Sequence, residues 1–473
     1  MQTITIDPIT RIEGHGRVTL QLDDNGTVND ARFHVTQVRG FEKFTQGRPF
    51  TEMPATVARI CGICPVSHLI ASSKACDAIM AVKIPDTGEK LRRIMNLAQY
   101  VQSHALSFFH LSSPDLLLGM DTDPALRNIV GVIRKHPETA KAGIRLRQFG
   151  QQIIETLGGK RVHPAWIVPG GVSHPMEAAQ RDAILAQIPE ALQLTRSALT
   201  WFKGQMENFR AEIRTFGNFP SLFMSLTNEK GEWDAYDGWL RVIDSDGKIV
   251  ADHVEGVQYR DTIGEFDNED SYLKSTYYKP WGYPEGLYRV GPLARLNVCK
   301  TMGSPIADDE LAEFRSLERH TVLSSFFYHY ARLIEMVFAL ERMQVLLNDP
   351  EILSKHVRAF ASVNSLNGVG IMEAPRGVLV HDYTVDENGL MRKANLIVAT
   401  GHNNMAMNKG VLQVAKHFVK GNKLQEGMLN RIEALIRCYD PCLSCSTHAN
   451  GQMAMQIELR APDGRLLDSI ARG

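Results

Sequence analysis

Arg59-Ile-Cys61-Gly-Ile-Cys64-Pro-Val-Ser-His68 places two cysteines three positions apart, with a histidine shortly after them. The glycine between the cysteines and the proline after them allow a tight turn that brings both sulfur atoms to one point. Arg59 supplies positive potential, which favours the deprotonated thiolate that binds metals. The stretch therefore predicts half of a metal site.

The other half lies near the opposite end of the chain, in Asp440-Pro-Cys442-Leu-Ser-Cys445-Ser-Thr-His448. The chain has seven cysteines, and their concentration in two CxxC pairs indicates metal or redox chemistry instead of a disulfide framework. Structural zinc sites normally close a short local loop, whereas these pairs are separated by most of the chain. Four thiolates suit zinc, an iron–sulfur cluster or a nickel–iron centre, and ligand type alone does not choose among them. We predict one buried four-thiolate site inside a finished fold.

Composition excludes two classes of partner. The formal net charge is −1 and the pI is near 7.0, so the 473-residue chain has no basic field that would attract nucleic acid. The first residues lack the pattern of a secretory signal, and no run of 18 or more apolar residues suggests a membrane span. We therefore expect a cytoplasmic protein with neither a nucleic-acid nor a membrane partner.

Periodicity predicts a mainly α (α+β) fold. Apolar residues recur at helical spacing from Leu91 to Phe108, which indicates one helix with an apolar face. Further helices are expected at about 122–157, 176–216, 308–347, 404–420 and 423–437. Several long helices can form a central bundle.

Small antiparallel β-hairpins are expected at the periphery. Alternating apolar and polar residues flank Asn-Gly or Asp-Gly turns in residues 17–38, 239–254 and 377–394. The sequence contains no internal repeat and no low-complexity linker, so residues 1–448 are predicted to form a single interwoven domain.

The two cysteine motifs resemble the signature motifs of nickel–iron hydrogenase large subunits. Three further stretches resemble that family in the expected order: Thr10-Arg-Ile-Glu13-Gly-His15, Arg39-Gly-Phe-Glu42 and Glu373-Ala-Pro-Arg376-Gly377. The likeness covers nearly the whole chain and is closest to the large hydrogenase subunit of cytoplasmic bidirectional NAD-reducing complexes. It implies an enzyme that cleaves H2 reversibly and heterolytically to protons and electrons.

The resemblance implies how the cysteines share the metals. Cys61 and Cys442 would bind nickel terminally, and Cys64 and Cys445 would bridge nickel and an iron that carries carbonyl and cyanide ligands. His68 would touch a site thiolate and orient it through a hydrogen bond.

A magnesium ion nearby is also implied by the resemblance. Its ligands would be Glu42, His448 and the backbone carbonyl of Leu396, a set of oxygen and imidazole donors that leaves room for water.

Proton transfer would use five residues of this family pattern. Arg376 would overhang the iron ligands, where its donor fork suits cyanide. Cys442 would accept the proton, and Glu13 would be the first carboxyl of the outward path. Asp115 and Asp440 resemble acids placed around the same arginine.

Electrons need a partner protein, because no iron–sulfur motif remains once the four site cysteines are assigned to the metal centre. The resemblance implies which partners these are. A small iron–sulfur hydrogenase subunit would carry electrons to flavin- and NAD-binding diaphorase subunits. This chain has no dinucleotide fingerprint of its own. In the family, an endopeptidase removes a C-terminal extension, here residues 449–473, by cleavage after His448. That extension is predicted to form a strand pair, Met453–Leu459 and Arg465–Leu467.

Two other functions are compatible with parts of the pattern. The chain could be a non-catalytic scaffold like the related quinone-site subunit of respiratory complex I, although that relative lacks the four cysteines. It could also be a zinc-stabilised interaction protein. Outside the pairs, we expect Cys76, Cys299 and Cys438 to be small buried residues.

Overall fold

The computed structural model describes the backbone of residues 2–420, 425–448, 455–460 and 466–472. Its α-helices of eight or more residues are numbered in chain order: α1 Pro65–Met80, α2 Asp86–Leu106, α3 Pro137–Gly158, α4 Ala178–Leu185, α5 Ile188–Gln205, α6 Pro305–Arg315, α7 Tyr328–Leu347, α8 Asn404–Phe418 and α9 Glu426–Tyr439. Shorter α-helices are Phe41–Phe44, Met53–Val57, Ser113–Leu118, Ile129–Lys135, Arg210–Thr215, Tyr259–Thr262, Pro292–Val298 and Ala399–His402.

A bundle of long helices forms the centre of the molecule, as predicted. Helix α2 packs against α3 and α7, and α7 also packs against α5 and α6. The core of α7 is apolar nearly all round, from Leu333 to Leu340, which is typical of a helix enclosed by neighbours. The mainly α fold with small sheets is therefore confirmed.

Prolines divide several of the predicted helices. Pro137, Pro189 and Pro305 each lie in the first turn of a new helix, where the missing N–H and fixed φ are tolerated. The segments predicted as single helices at 122–157 and 176–216 consequently consist of two or more helices each. The segment predicted at 308–347 is also two helices, α6 and α7, but residues 316–327 between them contain no proline. Helix α1 is an addition to the predicted helices, and Pro65 opens it in the same way.

The strands form small, mostly antiparallel sheets. They are β1 Gln2–Ile6, β2 Gly16–Leu22, β3 Val28–Val35, β4 Ile167–Val168, β5 Gly171–Val172, β6 Leu222–Thr227, β7 Trp239–Ile243, β8 Ile249–Val254, β9 Ile263–Phe266, β10 Ser275–Tyr278, β11 Tyr288–Arg289, β12 Asn367–Ala374, β13 Gly377–Val385, β14 Met391–Ile397, β15 Met455–Arg460 and β16 Leu466–Arg472.

The three predicted hairpins are confirmed as β2–β3, β7–β8 and β13–β14, and each gains further strands. β1 pairs with β2, β6 pairs with β7 and β11, and β12 pairs with β13. In the predicted extension, β15 and β16 pair antiparallel, which confirms a strand pair with shifted bounds.

Helix α1 lies directly on strand β12 because two glycines remove the side chains between them. A Cβ atom on Gly370 would overlap the carbonyl oxygen of Ala71, and one on Gly368 would overlap that of Ala75. This contact matters for the site because α1 begins just after Cys64 and β12 ends just before Arg376.

One large apolar core joins the two ends of the chain. It includes side chains from Ile9 to Cys445, while a smaller cluster lies between β6, β7 and β13. The shared core supports a single domain for residues 1–448, which stays a prediction. Within the described ranges, no helix combines the length and hydropathy that crossing a bilayer requires.

We expect Gly370→Ala to destabilise the fold by roughly 1 to 3 kcal/mol, because the new methyl group must push α1 away from β12. Gly204→Ala in α5 is the matched control, since its Cβ atom would meet nothing within 4 Å. Thermal unfolding of both variants checks this, and a Gly370→Ala melting temperature equal to that of the control would contradict the close packing.

Candidate metal centre

The four paired cysteines meet at one buried point. The sulfur atoms of Cys61, Cys64, Cys442 and Cys445 all lie within 4.8 Å of one another. Cys442 Sγ is 2.8 Å from Cys445 Sγ and 3.2 Å from Cys61 Sγ, and Cys64 Sγ is 3.4 Å from Cys445 Sγ. All four side chains are buried, so the predicted convergence of the two motifs is confirmed.

Two helix ends present these cysteines. Cys64 is the residue that precedes α1, and positive potential at a helix N-terminus favours a thiolate there. At the other motif, α9 ends at Tyr439, and Asp440 adopts a left-handed conformation with φ 51°. This turn and Pro441 redirect the chain into the short 3-10 helix Leu443–Cys445.

The segment around Glu13 fixes the second cysteine loop. The Glu13 carbonyl accepts a hydrogen bond from the Leu443 N–H at 3.1 Å, and its carboxylate accepts one from the Ser444 N–H at 3.0 Å. Gly14 has φ +88°, and a Cβ atom there would overlap the Leu443 side chain. Glu13 is thus hydrogen-bonded to the loop that carries Cys442 and Cys445, and its part in a proton path stays a prediction.

His68 begins a buried hydrogen-bonded chain that leads away from the cysteines. It hydrogen-bonds to Cys64, and its Nδ1 is 3.0 Å from His381 Nε2. His381 Nδ1 is 2.7 Å from Tyr383 Oη, which donates to Ser72 Oγ at 2.8 Å. His381 is not among the residues predicted from the sequence, because a single histidine in a strand carries no spacing signal.

Hydrogen bonds and burial shift the pKa values of the site thiols in opposite directions. Hydrogen bonds from Cys442 and the other site cysteines hold the pKa of Cys64 well below its usual value. Burial raises the pKa of Cys442 and Cys445. Bound cations would favour the thiolate form of these soft ligands, so the donor set fits a metal centre.

Arg376 lies beside the cysteines and is held by Asp440. Its Nε donates to the Asp440 carbonyl at 2.6 Å, Nη2 is 2.9 Å from Asp440 Oδ2, and Nη1 donates to Ser103 Oγ at 3.3 Å. Burial opposes the charge of Arg376, but Asp440 and the nearby cysteines outweigh burial and raise its pKa. The predicted neighbourhood of Arg376 and Asp440 is present.

Asp115 requires a correction, because it belongs to a different charge cluster. Its carboxylate contacts Arg11 Nη2 at 2.6 Å, Arg437 Nη1 at 2.8 Å and Arg127 Nε at 3.4 Å. Within the described residues, the place beside Arg376 is taken by Ser103. The family pattern favours a carboxyl group beside Arg376, which is the reason for predicting Asp115. A single serine inside α2 has no sequence feature that would identify Ser103 as the neighbour of Arg376.

Glu42 and His448 meet near the cysteines. Glu42 Oε2 is 3.2 Å from His448 Nδ1, and Glu42 Oε1 accepts a hydrogen bond from the Leu396 N–H at 2.8 Å. Burial would raise the pKa of Glu42, but His448 and this N–H outweigh it and lower the pKa. A small cleft here is lined by Glu42, Leu396 and Cys445.

Comparison with known proteins gives the family. A model described as nickel-dependent hydrogenase matches residues 39–124 and 226–448, and one described as HoxL-like matches residues 3–38. The chain belongs to the nickel-dependent hydrogenase family. It is 40% identical to the NAD-reducing hydrogenase HoxS subunit beta of Cupriavidus necator, over 99% of each chain.

Other relatives extend this family assignment. One of them belongs to the F420-non-reducing hydrogenase vhu of Methanocaldococcus jannaschii, and it is 44% identical over 89% of this chain and all of its own length. A crystal structure of an NAD+-reducing NiFe hydrogenase in the H2-reduced state matches with a TM-score of 0.92 and 43% identity, covering 95% of this chain and 100% of that one.

Four of the seven cysteines form the buried cluster, and the other three lie apart from it. Cys76, Cys299 and Cys438 are buried elsewhere, as predicted. Burial raises the pKa of Cys299 to about 12 and also raises that of Cys76 and Cys438, so these thiols stay neutral.

We expect Cys64→Ser to lose bound nickel and iron, since a hydroxyl is a poor ligand for soft metals. Cys76→Ser is the matched control, because its hydroxyl can keep the hydrogen bond that Cys76 Sγ makes to the Phe50 carbonyl at 3.2 Å. Elemental analysis of anaerobically purified protein measures both variants. Full nickel and iron in Cys64→Ser would contradict the assignment.

Proposed function

We propose that this hydrogenase is the large catalytic subunit of a complex that cleaves H2 reversibly and passes the electrons toward NAD. The observation that carries the proposal is the cluster of four buried sulfur atoms within 4.8 Å, flanked by Arg376 and Glu13. A non-catalytic scaffold needs no such cluster, and a zinc-stabilised protein needs no buried arginine beside it.

The four cysteines would hold a nickel–iron centre, with Cys61 and Cys442 as terminal ligands and Cys64 and Cys445 as bridging ligands. The iron would also carry carbonyl and cyanide. When bound, this centre supplies the polarisation that splits H2 heterolytically. Arg376 Nη2 would support the diatomic ligands, because this buried donor has an ion-pair contact with Asp440 but no hydrogen-bond partner in the described part of the chain.

Protons would leave through the chain's own side chains. Cys442 Sγ would accept a proton, since burial favours its neutral form. Glu13 would receive the proton next, because its carboxylate is hydrogen-bonded to the loop that carries Cys442 and Glu13 is only half-buried. Asp440 would fix Arg376 in place through both of its contacts.

A magnesium ion would occupy the cleft beside Glu42 and His448. Their direct contact at 3.2 Å brings together an oxygen and an imidazole donor, and the Leu396 carbonyl would complete the protein ligands. His68 would orient the Cys64 thiolate.

Electrons must leave through a partner, because the remaining cysteines are dispersed and neutral. Flavin- and NAD-binding diaphorase subunits, reached through a small iron–sulfur subunit, fit the 40% identity to HoxS subunit beta over 99% of the chain. The likeness to F420-non-reducing hydrogenases favours a second candidate, a complex whose electron acceptor is not NAD. The cytoplasmic location and an endopeptidase acting after His448 belong to the same proposal.

We expect Glu13→Gln to lower H2 oxidation about 10²-fold or more, because an amide cannot relay protons. The amide oxygen can still accept the Ser444 N–H, so the infrared bands of iron-bound carbonyl and cyanide should remain. Glu52→Gln, an exposed control, should keep full activity. Undiminished turnover in Glu13→Gln would remove it from the proton path.

The identity of the electron acceptor is tested on the protein purified together with its natural partner subunits. Under H2, we expect NAD+ reduction at a rate comparable with that of an artificial dye. Dye reduction without any NAD+ reduction would favour the F420-non-reducing type of complex.

A further inference from the structure

A carboxylate is buried among charged groups in the centre of the bundle. Glu335 on α7 is fully buried, and its Oε2 accepts a hydrogen bond from Arg295 Nη1 at 2.7 Å. The same oxygen is 2.7 Å from His104 Nε2 on α2. Arg295 also donates to Glu373 Oε2 at 2.9 Å. None of the roles proposed above uses Glu335 or His104.

This group is connected to Arg376 along two helices. His104 directly follows Ser103, which accepts a hydrogen bond from Arg376. Arg332 lies one turn before Glu335 on α7, and its charge acts on Glu335, on His104 and on Asp440. Arg332 Nη2 itself donates a hydrogen bond to the Cys438 carbonyl, two residues before Asp440.

Three buried polar atoms of these side chains lack a hydrogen-bond partner in the part of the chain that the structure describes. Within the described residues, the buried atoms Glu335 Oε1, His104 Nδ1 and Arg332 Nη1 have no hydrogen-bond partner. Buried polar atoms are nearly always partnered, by ordered water if not by protein. A proton on Oε1 would turn this acceptor into a donor that can bond to such water.

We propose that Glu335 is a positioning residue that gains and loses one proton at its unpartnered Oε1, and that its charge acts on Arg332, one turn earlier on α7, and through His104 on the Ser103–Arg376 contact. The O–H bond on Oε1 breaks, the proton passes to water, and no electron moves. The link to Arg376 rests on the hydrogenase function proposed above, whereas the titration of Glu335 does not.

Burial favours the protonated form of Glu335 against the positive charges around it. Burial raises the pKa of Glu335 to about 7, although Arg295 and Arg332 oppose the shift. Burial also lowers the pKa of His104 well below its usual value, so this ring stays neutral. The other titratable groups facing Glu335 are Tyr100 on α2, Cys299 after the helix Pro292–Val298, and, through Arg295, Glu373 on β12.

Infrared difference spectra of the complete complex at increasing pH test the proposal. We expect the C=O stretch of a protonated carboxyl to disappear as the pH rises through about 7, and we expect Glu335→Gln to lack this signal. Glu341→Gln is the matched control on the same helix, since Glu341 only caps the start of α6 through Ser304, Ile306 and Ala307. The control should keep the signal.

Two results would overturn the proposal: no carboxyl titrating near neutral pH in the parent complex, or a signal that persists in Glu335→Gln. The first needs no variant, so a folding defect cannot obscure it. The pH profile of H2 oxidation separates the two proposals. A titrating Glu335 in a complex without H2 activity would refute only the hydrogenase function, and a pH profile unchanged in Glu335→Gln would refute only the link to Arg376.

Discussion

The meeting of four cysteine sulfurs in one buried place is the constraint on which the rest of the structure depends. The two motifs come from opposite ends of the chain, so the site exists only after nearly all of the fold has formed. Closing such a long loop costs conformational entropy. The apolar core that runs from Ile9 to Cys445 offsets this cost, because burial of apolar surface is the dominant favourable term in folding.

A single helix–strand contact aligns the cysteines with the charged groups around them. Helix α1 starts just after Cys64, strand β12 leads to Arg376, and Gly370 lets their backbones touch. The same strand carries Glu373, which pairs with Arg295 and so reaches Glu335. One packing contact therefore fixes both the arginine beside the metal ligands and the carboxylate cluster behind it.

Local spacing explains which features the sequence could predict. Cys61 and Cys64 share one turn, and an Asn-Gly pair defines the β2–β3 hairpin, so neighbouring residues contain the information. Ser103 beside Arg376, by contrast, is a contact across 273 positions, and no local pattern distinguishes it from Asp115. Helix boundaries differ for another reason, since the apolar periodicity continues across the first-turn prolines at 137 and 189 and conceals the breaks that they mark.

The chain uses arginine where it buries positive charge. Arg295, Arg332 and Arg376 are buried, and each contacts a carboxylate or a carbonyl that offsets part of the desolvation cost. A lysine in these places would lose its proton readily when buried, whereas guanidinium stays charged throughout the physiological range. The fixed charges of the interior therefore do not respond to pH. The groups that can gain or lose protons are the carboxyl and thiol groups between these arginines. Burial and the neighbouring arginine charges determine the pKa values of those groups.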